Sequence, residues 1–167
     1  MATVVRRARV TLLLEILDQA FDRPAWHGTP LWGSIRGVTW REALRRPRGR
    51  GTRHNIWELV LHTAYWKYVV RRRLARDPAI VFPRQDADWP RLPARPDAAA
   101  WRKDVALLKR VHRELRDTVA ALPDARLGRR AWHSRWTNRA SIYGIASHDL
   151  YHAGQIQLVK RLTARGA

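Results

Sequence analysis

The sequence predicts an all-α protein, an antiparallel four-helix bundle built from residues 1–167 as one domain, on three observations. Proline and glycine cut the chain into long pieces, the pieces repeat apolar residues at the spacing of a helix face, and Asn55 and Asp97 stand where such pieces need caps. In chain order, Thr3 to Phe21 places Val10, Leu13, Leu14, Leu17 and Phe21 on one face and ends at Arg23-Pro24. Residues 25–53 hold two Pro, five Gly and three Trp and read as a connection with one or two short helices, one starting at Thr39 with Glu42 at the capping-box position. The second long helix runs from Asn55 to Arg76, with Glu58 three residues after its cap and Arg71, Arg72, Arg73 and Arg76 suiting its C-terminal dipole. Five prolines between 78 and 96 make an irregular crossover packed by Phe82 and Trp89. Asp97 caps a third helix to Leu122, with Trp101, Val105, Leu108, Leu115, Val119 and Leu122 in its stripe, and a short basic connection leads to the last helix, Asn138 to Ala164.

Composition bounds the chemistry. With 167 residues, 46% hydrophobic and 28% charged, the chain can bury a core. It has no cysteine, which excludes disulfide scaffolds, thiolate zinc sites, Fe–S clusters and cysteine nucleophiles, so any metal must use His, Asp or Glu. No uncharged apolar run is long enough to span a bilayer, and Val10 to Leu17 already contains Glu15; the expectation is a soluble cytoplasmic protein without a signal peptide or membrane partner. The net charge of +19 and nine tryptophans raise a second reading, a basic nucleic-acid or polyanion binder. Only four of the 33 basic residues are lysines and the arginines are dispersed, which favours a solvated face and incidental polyanion binding.

The last helix holds a conflict. Counting by threes and fours from Ile145 gives His148, His152, Gln155, Val159 and Leu162, which places three polar groups in an apolar stripe. His148 and His152 are one turn apart and can reach a single ion, the spacing of the zinc-protease helix, but the string is HDLYH and lacks that motif's glutamate. A third ligand would come from a facing helix, with His62 and His112 as candidates.

The segments NIWELVLHTAYW (55–66) and HDLYHAGQIQLVKRL (148–162) resemble the DinB/YfiT-like metal-binding superfamily, which carries one His on its second helix and an H-x-x-x-H-x-G-Q-I string on its fourth. The resemblance implies His62, His148 and His152 as ligands of one divalent ion per chain, and AFDRPAWHG (20–28) also resembles the opening of one branch of the family. Three neutral imidazoles suit zinc or nickel rather than calcium or magnesium, and three protein ligands leave an open position where metal-bound water or a thiol would be activated. The family further implies thiol-dependent transferases or isomerases, using bacillithiol or mycothiol, and pairing as a homodimer. The expected function is therefore a metal-dependent, thiol-dependent transferase or a hydrolase acting on a small-molecule substrate, with a low-molecular-weight thiol as the candidate co-substrate. A structural protein with a non-catalytic metal is the third reading.

Supporting residues carry a structural reading beside the functional one. His112 could sit behind the ligands or be a core histidine; Glu58 could orient His62, though its cap role already explains it. Gln155 could bond a ligand, substrate or a carbonyl across the bundle, and Asp149 points away from the histidines toward a neighbouring helix or solvent. His27 could enter the pocket mouth, and Tyr65, Trp66 and Tyr151 are expected as core or groove aromatics.

Overall fold

The computed structural model describes residues 8–49, 53–85 and 87–164, and within them the fold is all-helical. The helices are α1 (Ala8–Phe21), α2 (Leu31–Ile35), α3 (Trp40–Leu44), α4 (Ile56–Ala75), α5 (Ala98–Ala120) and α6 (Asn138–Ala164), with a 3₁₀ turn at Asp124–Arg126. The expected start of the first helix at residues 3–7 lies outside the described residues. Local chemistry sets the boundaries. Thr39 and Glu42 close a reciprocal capping box on α3, Asn55 and Glu58 do the same on α4, and the Asp97 carboxylate accepts from the Ala100 amide to start α5. Arg76 ends α4 in the left-handed conformation ahead of Pro78, and α5 stops at Ala120, two residues short of the expected Leu122. Thr137 accepts from the Ala140 amide at the head of α6, and an isolated bridge between Arg130 and Thr137 closes the preceding loop.

The four long helices pack in a ring, α4 against α5 and α6, and α1 against α5 and α6. The contacts fix their directions. Trp57 bonds Asp104, Lys67 meets His112 and Arg71 pairs with Glu114, so moving up α4 also moves up α5. The two run in parallel. His62 meets His152 while Lys67 meets Asp149, so α4 and α6 run opposite ways, as do α1 and α5, where Asp18 pairs with Arg116 and Phe21 stacks on His112. The expected antiparallel order is therefore corrected: α4 and α5 are consecutive yet parallel. The cause is the connection between them. Residues 77–97 must return along a helix of about 30 Å, and a chain of that length can reach roughly 70 Å when extended.

The apolar core has two halves. One gathers Trp57, Leu61, Leu108 and Ile156 with the short helices α2 and α3; the other gathers Leu17, Leu74, Leu115 and Ile142. Between them lies a polar layer in which Lys67 from α4, His112 from α5 and Asp149 from α6 are all buried. The side chains of Lys67 and Asp149 form an ion pair with no exposure at all, and the Lys67 ammonium also lies 3.3 Å from His112 Nδ1. Burial raises the Asp149 carboxyl to about 6 against the pull of Lys67, and lowers Lys67. This layer sits one turn from the site described next.

Candidate metal centre

Three imidazoles converge where α4 faces α6. His62 Nε2 lies 3.1 Å from His148 Nε2, and His152 Nε2 lies 3.0 Å from the same atom. His62 and His152 are buried and His148 half-buried, and the ligand-capable atoms of all three lie within 4.8 Å of one another, so the cluster could hold a metal ion.

The far side of each ring decides what the near side can do. His62 Nδ1 is 2.8 Å from the Asp88 carbonyl and 3.1 Å from its carboxylate; neither can donate, so the ring's proton sits on Nδ1 and Nε2 carries a lone pair. His152 Nδ1 likewise donates to the Gln155 amide oxygen at 2.6 Å. His148 Nδ1 is buried and has no partner among the described residues. Two lone pairs therefore point at His148 Nε2, which has one proton at most to share between them. A cation placed among the three relieves that repulsion.

The rings are also held neutral. Burial, then the neighbouring imidazoles, push His148 down to about 3; burial pushes His152 to about 4 despite the Gln155 bond, and lowers His62 despite Asp88. Neutral imidazole is the form that ligates a metal at physiological pH.

The crossover loop supplies two site residues that the sequence reading did not single out for it. Asp88 fixes His62 and accepts a hydrogen bond from Trp66 Nε1 at 2.5 Å. Trp89, expected only to pack the loop, stacks on His62 with ring centroids 3.9 Å apart and also stacks on His54. A tryptophan in a proline-rich loop next to an acid was the available signal, but periodicity cannot say which helix a loop covers.

The remaining expectations divide. Trp66 stands edge-on to both His62 and His148, and Gln155 bonds a ring of the cluster. Tyr151 is 64% exposed and meets His152 edge-on, so it is a rim aromatic and not a core one. Glu58 does not touch His62: it completes the α4 cap and pairs with Arg46 and His54. His112 belongs to the polar layer, stacked on Phe21 and pushed to about 2 by burial and then Lys67, and makes no contact with the three imidazoles. His27 is exposed and lines a separate depression over Ala153, Gly154 and Gln157, because α6 turns that face away from the cluster. Asp149 takes the neighbouring-helix role. The buried seam of α6 runs Ile142, Ile145, Ala146, Asp149, His152, Ile156 and Val159, so His148 and Gln155 flank it and Leu162, expected in it, is 51% exposed. His133 adopts a positive φ beside Trp132, away from the site.

A cleft of about 480 Å³ opens beside His148, between α4 and the first half of α6. Three imidazoles on two facing helices, two of them oriented from behind, with a cleft alongside, define a helical protein whose histidine cluster could hold a metal ion. Residues 31–156 match the family model of the DinB superfamily, and the chain belongs to that superfamily. No curated protein and no solved structure gives a significant match. Among the described residues no helix is long and apolar enough to cross a membrane.

Proposed function

We propose that this DinB superfamily protein binds one zinc or nickel ion through the Nε2 atoms of His62, His148 and His152, and uses it in a thiol-dependent transfer or a hydrolysis on a small substrate. The carrying observation is the meeting of three neutral imidazoles whose near-side nitrogens lie 3.0 and 3.1 Å apart. Zinc–nitrogen bonds of about 2.0–2.1 Å at tetrahedral angles put ligand nitrogens roughly 3.3 Å apart, close to the 3.1 and 3.0 Å at which His62 and His152 stand from His148. The converging ligand atoms are imidazole nitrogens and the chain has no cysteine, a donor set that suits zinc or nickel. When bound, such an ion supplies Lewis acidity that lowers the pKa of a water or thiol in its open position.

The chain's own residues do the rest. Asp88 and Gln155 hold the protons of His62 and His152 on Nδ1. Trp89 covers one ring, Trp66 stands between the cluster and the cleft, and the cleft admits substrate beside His148.

The test is elemental analysis of protein purified without an affinity tag or added metal. About one zinc or nickel per chain is expected in wild type, with loss in His148→Ala and His62→Ala. A His62→Ala protein that kept a full equivalent would overturn the ligand set. The polyanion reading rests on the +19 charge and on the exposed Trp26 and Trp136, since Trp57 and Trp101 are buried in the core and Trp66 and Trp89 serve the site. Selectivity for a nucleic acid over heparin in a salt titration would be needed to revive it.

A further inference from the structure

We propose that the cleft beside His148 binds a small organic anion, with an aromatic or alkyl body between Trp66, Trp136 and Tyr143 and a carboxylate-class group on Arg73. This names the substrate class of the proposed metal site and rests on that reading for the reaction, though not for binding.

Three observations carry it. First, the walls are apolar and in part open to water: Trp136 is 55% and Tyr143 50% exposed, and both line a concave surface rather than a flat one. Apolar surface grouped around a cavity is what a ligand's apolar body covers. Second, the charge in the cleft has one sign. Arg73 lines it, no acidic side chain among the described residues does, and Arg135 lies over the Trp136 ring at 4.9 Å.

Third, Arg73 differs from its neighbours in the Arg71-Arg72-Arg73 run. Arg71 pairs with Glu114, and Arg72 bonds the Tyr68 hydroxyl and lies over Trp132. Arg73 is half-buried as a residue and pairs with no carboxylate among the described residues; it lines this cleft and also borders a smaller depression beside Tyr68 and Trp132. A guanidinium is a five-donor fork suited to a carboxylate, so one at a cleft wall without a carboxylate partner favours a ligand that brings one.

The helices set the length. Trp66 and Arg73 are seven residues apart on α4, and Ser141 and His148 seven apart on α6, about 10 Å in each case. Trp66 and His148 are neighbours at one end. The anion site is therefore two helical turns from the histidine cluster, which lets a phenylalkyl or bicyclic body reach from one to the other.

The test is calorimetric titration of the full chain with 4-phenylbutyrate and its neutral amide, 4-phenylbutanamide, each with zinc and with a chelator. Wild type should bind the carboxylate at least about tenfold more tightly than the amide. Arg73→Gln should abolish that preference and Arg73→Lys keep part of it. Arg76→Gln, at an exposed arginine outside the cleft, should leave the preference intact, which separates the site from the general pull of +19. Zinc content of Arg73→Gln should equal that of wild type. Equal affinity for the two probes, no binding of either, or a preference that survives Arg73→Gln would overturn the proposal and leave Arg73 only complementing the α4 C-terminus. An Arg73-dependent preference in a protein that takes up no zinc would keep the anion site and overturn the metal reading.

Discussion

His152 owes its tautomer to a residue one turn along its own helix, whereas His62 owes its tautomer to a loop. The Gln155 amide oxygen, 2.6 Å from His152 Nδ1, can be deleted by substitution; the Asp88 carbonyl, 2.8 Å from His62 Nδ1, cannot. Gln155→Leu should therefore lower zinc affinity by about 10- to 100-fold, the usual loss when the group behind a metal-binding histidine is removed. Asp88→Ala should cost less. Competition with a chromophoric chelator measures both, and an unchanged affinity in Gln155→Leu would show that the bond orients nothing. The residue before Gln155 predicts the opposite sign. Gly154 lies inside α6, and a β-carbon there would meet nothing within 4 Å. Gly154→Ala should therefore stabilise the fold by about 0.5–1 kcal/mol with zinc content unchanged, read from urea unfolding.

Between the elements, the fully buried Lys67–Asp149 pair fixes how α6 is rotated against α4, and so where His148 and His152 face. A buried ion pair contributes little by itself, but half of one is costly. Lys67→Met leaves a carboxylate without its counter-charge and should destabilise by about 3–5 kcal/mol, and adding Asp149→Leu should recover most of that loss. Urea melts of the two single variants and the double variant give the coupling, and additive losses would mean that the pair is solvated. The same pair explains the limit of the sequence reading at this scale. Helix existence, caps and the HDLYH spacing were legible because each is a local property. The register of α6 was not: counting through His148 assumed polar residues at its buried positions, whereas the seam passes through Asp149 and leaves His148 at its edge. An acid becomes a core residue only when a partner such as Lys67 stands opposite, and one helix's periodicity does not contain that partner.

At the scale of the whole molecule, periodicity says which face of a helix is buried but not which way the helix points. The parallel arrangement of α4 and α5 was written only in the length of the 77–97 connection, and that same return path lays Asp88 and Trp89 over His62. The polar layer and the histidine cluster together make the acid stability of the metal-free protein a property of the whole fold. Burial pushes His112, His148 and His152 down to about 2, 3 and 4 in the folded state from an ordinary 6.5, and lowers His62 too. A lowered histidine contributes full stability above 6.5 and loses it as pH falls toward the folded value, because the unfolded chain takes up the proton first. Asp149 acts in the opposite sense: raised to about 6 from 3.8, it lets the folded state hold one proton more within that interval. Near pH 5 the three histidines less the one aspartate leave about two protons in favour of the unfolded chain, and His62 adds to them. Each proton is worth about 1.4 kcal/mol per pH unit, so stability in a chelator should fall by roughly 3 kcal/mol or more between pH 6 and 5. Zinc holds three of these rings neutral and competes with the proton for them, so loading should move the acid-unfolding midpoint to lower pH. Urea unfolding at pH 7, 6 and 5, with chelator and with zinc, measures both effects. A chelated protein equally stable at all three would mean that the imidazoles are hydrated in the folded state, and an acid midpoint unmoved by zinc would mean that the cluster holds no ion.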